Sequence, residues 1–133
     1  MSIVIKKIEV MELLLKACPS YNERWTAFLA TELGEKYSDN IYLNVQLDDF
    51  ATYLVKIFKD NNTLEFPAIF NALELLLLNG NEYVKRAIAG LLEDLQLRTN
   101  DYDIKPFLLG ESLNVWNHYI EFWEKGLKKE RIT

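Results

Sequence analysis

The segment from Leu64 to Leu78 constrains the fold more than any other part of the chain. Phe66, Ile69, Phe70, Leu73, Leu76 and Leu77 recur at the three- and four-residue spacing of one helical face. Leu75 and Leu78 extend that face almost all round the axis. A helix of this kind has to be covered from several sides, so the rest of the chain must supply helices to surround it. Pro67 falls in its first turn, where the missing donor costs little.

The remaining sequence has the same periodicity. A first helix is predicted over about Ile5 to Ala17, with Val4, Ile8, Met11 and Leu15 on one stripe, although Ser2-Ile-Val-Ile5 could begin as a short strand. Pro19 ends it, and Ser20 with Glu23 has the spacing of a capping box for a second helix reaching about Leu33. Glu35 to Asn44 reads as the longest polar connection. A third helix is predicted from Leu47 to Asp60, followed by an Asn61-Asn62 turn and a second capping spacing at Asn62 and Glu65. After the apolar helix, Asn79-Gly80-Asn81 reverses the chain. A fifth helix then runs to about Leu97 through Val84, Ala87, Ile88, Leu91 and Leu95, with Ala87, Ala89 and Gly90 forming a low surface. The last helix, about Glu111 to Leu127, repeats Leu113, Trp116, Ile120, Trp123 and Leu127. The expected fold is one all-α domain over residues 1–133, with about six helices as a stack of α-hairpins (a short HEAT-like solenoid) or as an irregular bundle.

Composition narrows function mainly by exclusion. The 133 residues carry 15 Lys and Arg against 20 Asp and Glu, a net charge of −5, whereas a free-standing nucleic-acid binder is normally basic. Wholesale disorder does not suit a chain that is 50% hydrophobic. No apolar run approaches the roughly 20 residues of a membrane span, and no signal peptide is expected near Lys6 and Lys7. Cys18 is the only cysteine and His118 the only histidine, so neither a disulfide nor a soft-ligand zinc site is expected. No phosphate-binding loop or dinucleotide fingerprint is present. The reading is therefore no catalytic set, no cofactor and no metal. A disulfide-free chain of this size suits a reducing cytoplasm.

The charge is unevenly spread. Between Asp39 and Asp103 eleven carboxylates face five basic residues, while Lys125 to Arg131 is net +3 and reads as a solvated, frayed tail. Asp48 and Asp49 are placed at the start of the third helix, where negative charge is favoured. Glu93 and Asp94 fall near the end of the fifth helix, where the dipole opposes them. With Asp101 and Asp103 they bracket Tyr102. Carboxylates around an exposed aromatic ring can steer and anchor a basic protein. Glu93, Asp94, Asp101, Tyr102 and Asp103 are thus the candidate partner-binding residues.

The stretch Asn81-Glu-Tyr-Val-Lys-Arg-Ala-Ile-Ala-Gly-Leu-Leu-Glu-Asp-Leu-Gln96, with Pro106-Phe-Leu-Leu-Gly-Glu-Ser112 and Trp116, resembles a family of small bacterial helical proteins. That family is similar to HEAT-like repeat proteins and to the immunity proteins encoded beside bacterial toxins. The resemblance covers about Phe66 to Trp123. It implies a non-enzymatic interaction protein that binds and occludes a cognate toxin domain; the acidic segment points to a basic surface on that domain, and the composition to no membrane or nucleic-acid partner. The alternative is a helical-repeat adaptor that holds a peptide in an apolar groove. A third class, an enzyme or small-ligand binder, would need His118 in a deep pocket beside a carboxylate.

Overall fold

The computed structural model describes residues 4–31, 43–99 and 101–132, with the side chains of 101, 102 and 122–132 outside that description. The helices are α1 (Lys7–Ala17), α2 (Asn22–Ala30), α3 (Leu43–Lys59), α4 (Phe66–Asn79), α5 (Glu82–Arg98), the single turn α6 (Asp101–Ile104) and α7 (Gly110–Ile132). Tight 3-10 turns at Pro19–Tyr21 and Lys105–Phe107 link them. The fold is an all-α bundle.

The α4–α5 hairpin is the hub. α4 packs against α1, α5 and α7, and α5 packs against α1, α3, α4 and α7. Phe66, Ile69, Phe70, Leu73, Leu76 and Leu77 of α4 are all buried, as the spacing predicts. Leu75 and Leu78 are not, at 41% and 56% exposure, so α4 keeps one edge towards solvent. Phe107 fills the space at the start of α4, edge-on to Phe66 at 5.1 Å and stacked on Phe70 at 5.9 Å.

The first helix is rotated relative to its predicted stripe. Ile5 forms an isolated parallel bridge with Gly80, donating to the Asn79 carbonyl at 2.8 Å and accepting from Asn81 at 3.0 Å. This contact turns Ile5 inward. Val10, Met11 and Leu14 follow it into the core, leaving Val4 and Ile8 exposed. The strand-like character of the N-terminal residues is thus limited to one bridge.

Both predicted capping boxes are replaced by contacts across the fold. Ser20 lies within the Pro19–Tyr21 turn, and its amide and hydroxyl donate to Glu65, each at 3.1 Å to the nearer oxygen. Tyr53 of α3 donates to the same hydroxyl at 2.6 Å. The Glu65 carboxylate therefore serves Ser20 instead of Asn62, and neither α2 nor α4 has a side-chain cap. The Asn61-Asn62 turn is still a proper helix stop. Asn61 adopts a left-handed conformation (φ 61°), with Asn61 and Asn62 donating to the carbonyls of Phe58 and Ile57.

α3 starts at Leu43, one turn before the predicted Leu47, because Leu43 continues its buried face. Gln46, a polar residue on that same buried face, interrupts the pattern in the sequence. Asp48 and Asp49 are consequently mid-helix residues and cap nothing. The other residues of the predicted polar connection lie outside the described ones. α7 extends to Ile132, so the backbone of the basic tail is helical where a frayed end was expected.

The start of α7 is held from α4. Glu74 accepts the amide protons of Glu111 and Ser112, each at 2.8 Å, while the Ser112 hydroxyl accepts from the Leu109 amide at 2.8 Å. These are unpaired donors at the positive end of a helix, so a carboxylate there is favourable by both hydrogen bonding and charge, by about 1 kcal/mol or more. Gly110-Glu111-Ser112 is therefore a helix start.

Gly80 is the most tightly enclosed of the three described glycines, at positions 80, 90 and 110. A Cβ there would lie 2.4 Å from the Leu76 carbonyl oxygen and 2.6 Å from Val84 Cγ1. Gly80→Ala is expected to lower stability by about 2–3 kcal/mol through overpacking at the hub turn. Urea unfolding followed by tryptophan fluorescence would measure it, and a loss below about 0.5 kcal/mol would contradict the packing described.

Candidate functional site

α5 lies between α3 and α7, and the three helices share a surface with an open groove on either side of α5. The α3–α5 groove, about 320 Å³, is bounded by Asn44, Leu47 and Asp48 of α3 and by Arg86, Gly90, Leu91 and Asp94 of α5. A Cβ added at Gly90 would meet nothing within 4 Å. The low surface predicted around Gly90 is open, with no other helix of the described chain lying over it. The α5–α7 groove, about 280 Å³, is lined by Ala89 of α5 and by Glu111, Asn114, Val115, His118 and Tyr119 of α7.

The structure separates the two residues at the centre of the predicted site. Neighbours on a helix point about 100° apart, so Asp94 lines the α3–α5 groove while Glu93 is turned away from it. Asp94 forms a two-point ion pair with Arg98, at 3.0 Å to Nε and 2.9 Å to Nη2. Arg98 also bonds Asp48 at 3.3 Å and Thr52 at 2.9 Å, tying α5 to α3. Asp94 is thus a neutralised carboxylate, and Arg98 in the last turn offsets the dipole that disfavours it. Glu93 faces α7 instead. It lies close enough to Tyr119 that its charge, together with burial of the ring, raises the Tyr119 phenol above its ordinary pKa. Asp103 is exposed on α6, apart from both grooves. The side chains of Asp101 and Tyr102 lie outside the described residues.

Arg86, Glu111 and Tyr119 border these grooves without having been singled out from the sequence, and Asp48, read there as a helix-start residue, joins them. The Asp94–Arg98 spacing, four residues on one helix face, was the one available sign that Asp94 already had a partner. His118 is exposed, its ring edge-on to Tyr119 at 5.8 Å. It is not in the deep pocket beside a carboxylate that an enzymatic reading would need.

Two other polar clusters are accounted for by packing. Asp49 accepts from the Tyr21 hydroxyl at 2.5 Å and pairs with Arg24 at 3.0 Å, fastening the start of α2 to α3. Burial, reinforced by the Asp49 carboxylate, pushes the Tyr21 phenol up strongly, and Asp49 also raises the Arg24 guanidinium. Cys18 is fully buried, 3.7 Å from the Ser20 hydroxyl, and burial pushes its thiol up to about 12. Among the described residues no group of three or more His, Cys, Asp or Glu side chains is placed to hold a metal ion. Nor is any described helix long and apolar enough to cross a membrane.

The match to known families covers most of this architecture, from Met11 in α1 to Glu124 in α7. The chain belongs to the DUF7674 family, a domain of unknown function matched over residues 11–124. No curated protein and no solved structure matches it. The DUF7674 region includes α3, α5 and the described side chains of α7, so both grooves lie within it.

The buried thiol gives a pH prediction. Unfolded Cys18 loses its proton near pH 8.5, whereas the native thiol keeps it to about 12. In that window the native state binds more protons, so stability falls as pH rises. Tyr21, also shifted upward, acts in the same direction above its ordinary pKa. The urea midpoint is expected to drop between pH 8 and pH 10, with a smaller drop in Cys18→Val. An unchanged midpoint across that range would contradict a buried, protonated thiol.

Proposed function

We propose that the chain is a non-enzymatic protein-binding module, and that it acts as an immunity protein by docking on a basic toxin domain and occluding it. The observation that carries this reading is the open three-helix surface, in which α5 presents Gly90 and a groove on each side. Tyr83 and Leu97 stand exposed along α5 at 41% and 63%, supplying apolar contact area on the same helix. Asp48, Glu93, Asp94 and Glu111 outnumber Arg86 and Arg98 around the grooves, which favours a basic partner. The partner surface is proposed to extend to Asp101, Tyr102 and Asp103 beyond the end of α5. A cytoplasmic location fits a chain whose single cysteine is buried and protonated.

A second reading has its own supporting observation. Ala89, Val115 and Tyr119 give the α5–α7 groove apolar walls, suited to an adaptor that holds a peptide by burial. Salt separates the two, because charge steering weakens with ionic strength and apolar burial hardly does.

The test is co-expression with the product of the adjacent reading frame. The two chains are expected to co-purify, and Glu93→Lys is expected to weaken the complex about tenfold or more at low salt. A complex equally tight when Glu93 and Asp94 are both alanine would contradict the proposed face.

A further inference from the structure

The two grooves differ in how their carboxylates are satisfied. In the α3–α5 groove, Asp48 and Asp94 share Arg98, and Arg86 stands at the same rim, so that side is close to charge balance. In the α5–α7 groove, Glu111 lines the wall and Glu93 stands one turn beyond Ala89 on the same face of α5. Neither Glu93 nor Glu111 has an ion-pair partner among the described residues. Between them lie the apolar surfaces of Ala89 and Val115 and the partly buried ring of Tyr119. Glu111, the apolar walls and an aromatic face thus line one opening of about 280 Å³, and Glu93 stands beside it, one turn along α5 from Ala89.

We infer that the α5–α7 groove is a recess for an arginine side chain of the partner, held between Glu93 and Glu111 against Tyr119. This rests on the protein-binding reading and names the feature of the partner that the surface takes. Arginine suits the recess better than lysine. Its methylenes cover apolar wall, its planar head can lie on a tyrosine ring, and its fork of donors can serve two carboxylates at once. The raised Tyr119 phenol agrees with this placement, since the ring is partly desolvated and lies in the field of Glu93. Asp94 carries no such role. Its charge is spent on Arg98, so the acidic feature that matters for the partner is one position earlier in the sequence.

The recess can be probed without the partner, which separates failure of this inference from failure of the protein-binding reading. Amide chemical shifts of the isotopically labelled protein would be followed during titration with N-acetyl-arginine amide. N-acetyl-citrulline amide, nearly the same shape without the charge, is the control, and N-acetyl-lysine amide tests the preference for a guanidinium. Saturable shifts are expected at Ala89, Glu93, Asn114 and Val115 with arginine, weaker ones with lysine and none with citrulline. Glu93→Gln is expected to weaken the response roughly fivefold or more, whereas Glu12→Gln on α1 leaves it unchanged. Equal shifts with citrulline, shifts centred on Asp48 and Asn44, no saturable response, or full binding by Glu93→Gln would overturn the inference. Equal binding of lysine would overturn the choice of arginine.

Discussion

The contact between Glu74 and the first turn of α7 determines the geometry of the outer surface. α7 begins without a side chain of the usual capping type at Leu109, and its first amides need acceptors. Glu74 provides them from the middle of α4, one oxygen to Glu111 and the other to Ser112. The same bonds set the rotation of α7 about its axis. Glu111, Asn114 and His118, spaced by three and four residues, are thereby turned to the groove while Ser112 and Trp116 are buried. A carboxylate in the half-buried layer thus helps to fix which residues α7 turns outward.

Charge follows the same logic of local satisfaction. The net charge of −5 suggests a broadly acidic molecule, yet much of the acid is already committed within the fold. Asp49 holds Tyr21 and Arg24, Glu65 holds Ser20, Glu74 holds α7, and Asp48 with Asp94 share Arg98. The carboxylates paired with Arg24 and Arg98 contribute less to steering at a distance, because the guanidinium offsets their field close by, whereas Glu65 and Glu74 keep their charge but face inward to the donors they hold. Glu93 and Glu111 remain the described groove carboxylates free of such pairing. The useful electrostatic feature is therefore narrower than the run of acidic residues in the sequence.

What could be read from the sequence was the short-range part of the fold. The helical spacing of Phe66 to Leu77 and of Val84 to Leu95 identified the hub, and the Asn-Gly-Asn reversal located its turn, with Asn81 capping α5 through the Val84 amide. Residue types alone could not show contacts between distant segments. Ser20 and Glu23 had the right spacing for a cap, but Glu65 is 45 positions away from Ser20 and takes its donors. Ile8 fitted the predicted stripe, but the Ile5–Gly80 bridge rotated α1 and exposed it. The same limit applied at the candidate site. Adjacent acidic residues look like one feature in a sequence, whereas on α5 Asp94 lines the α3–α5 groove paired with Arg98 and Glu93 turns towards α7 with no ion pair among the described residues.

The central claim is that α5 and the exposed side of α7 form the binding face while α4 supports it from behind. Hydrogen exchange of the protein alone and in complex with the product of the adjacent reading frame tests this most directly. New protection on binding is expected over residues 86–98 and 110–119, with little change over 7–17. Protection concentrated in α1, with α5 and α7 unchanged, would contradict that claim.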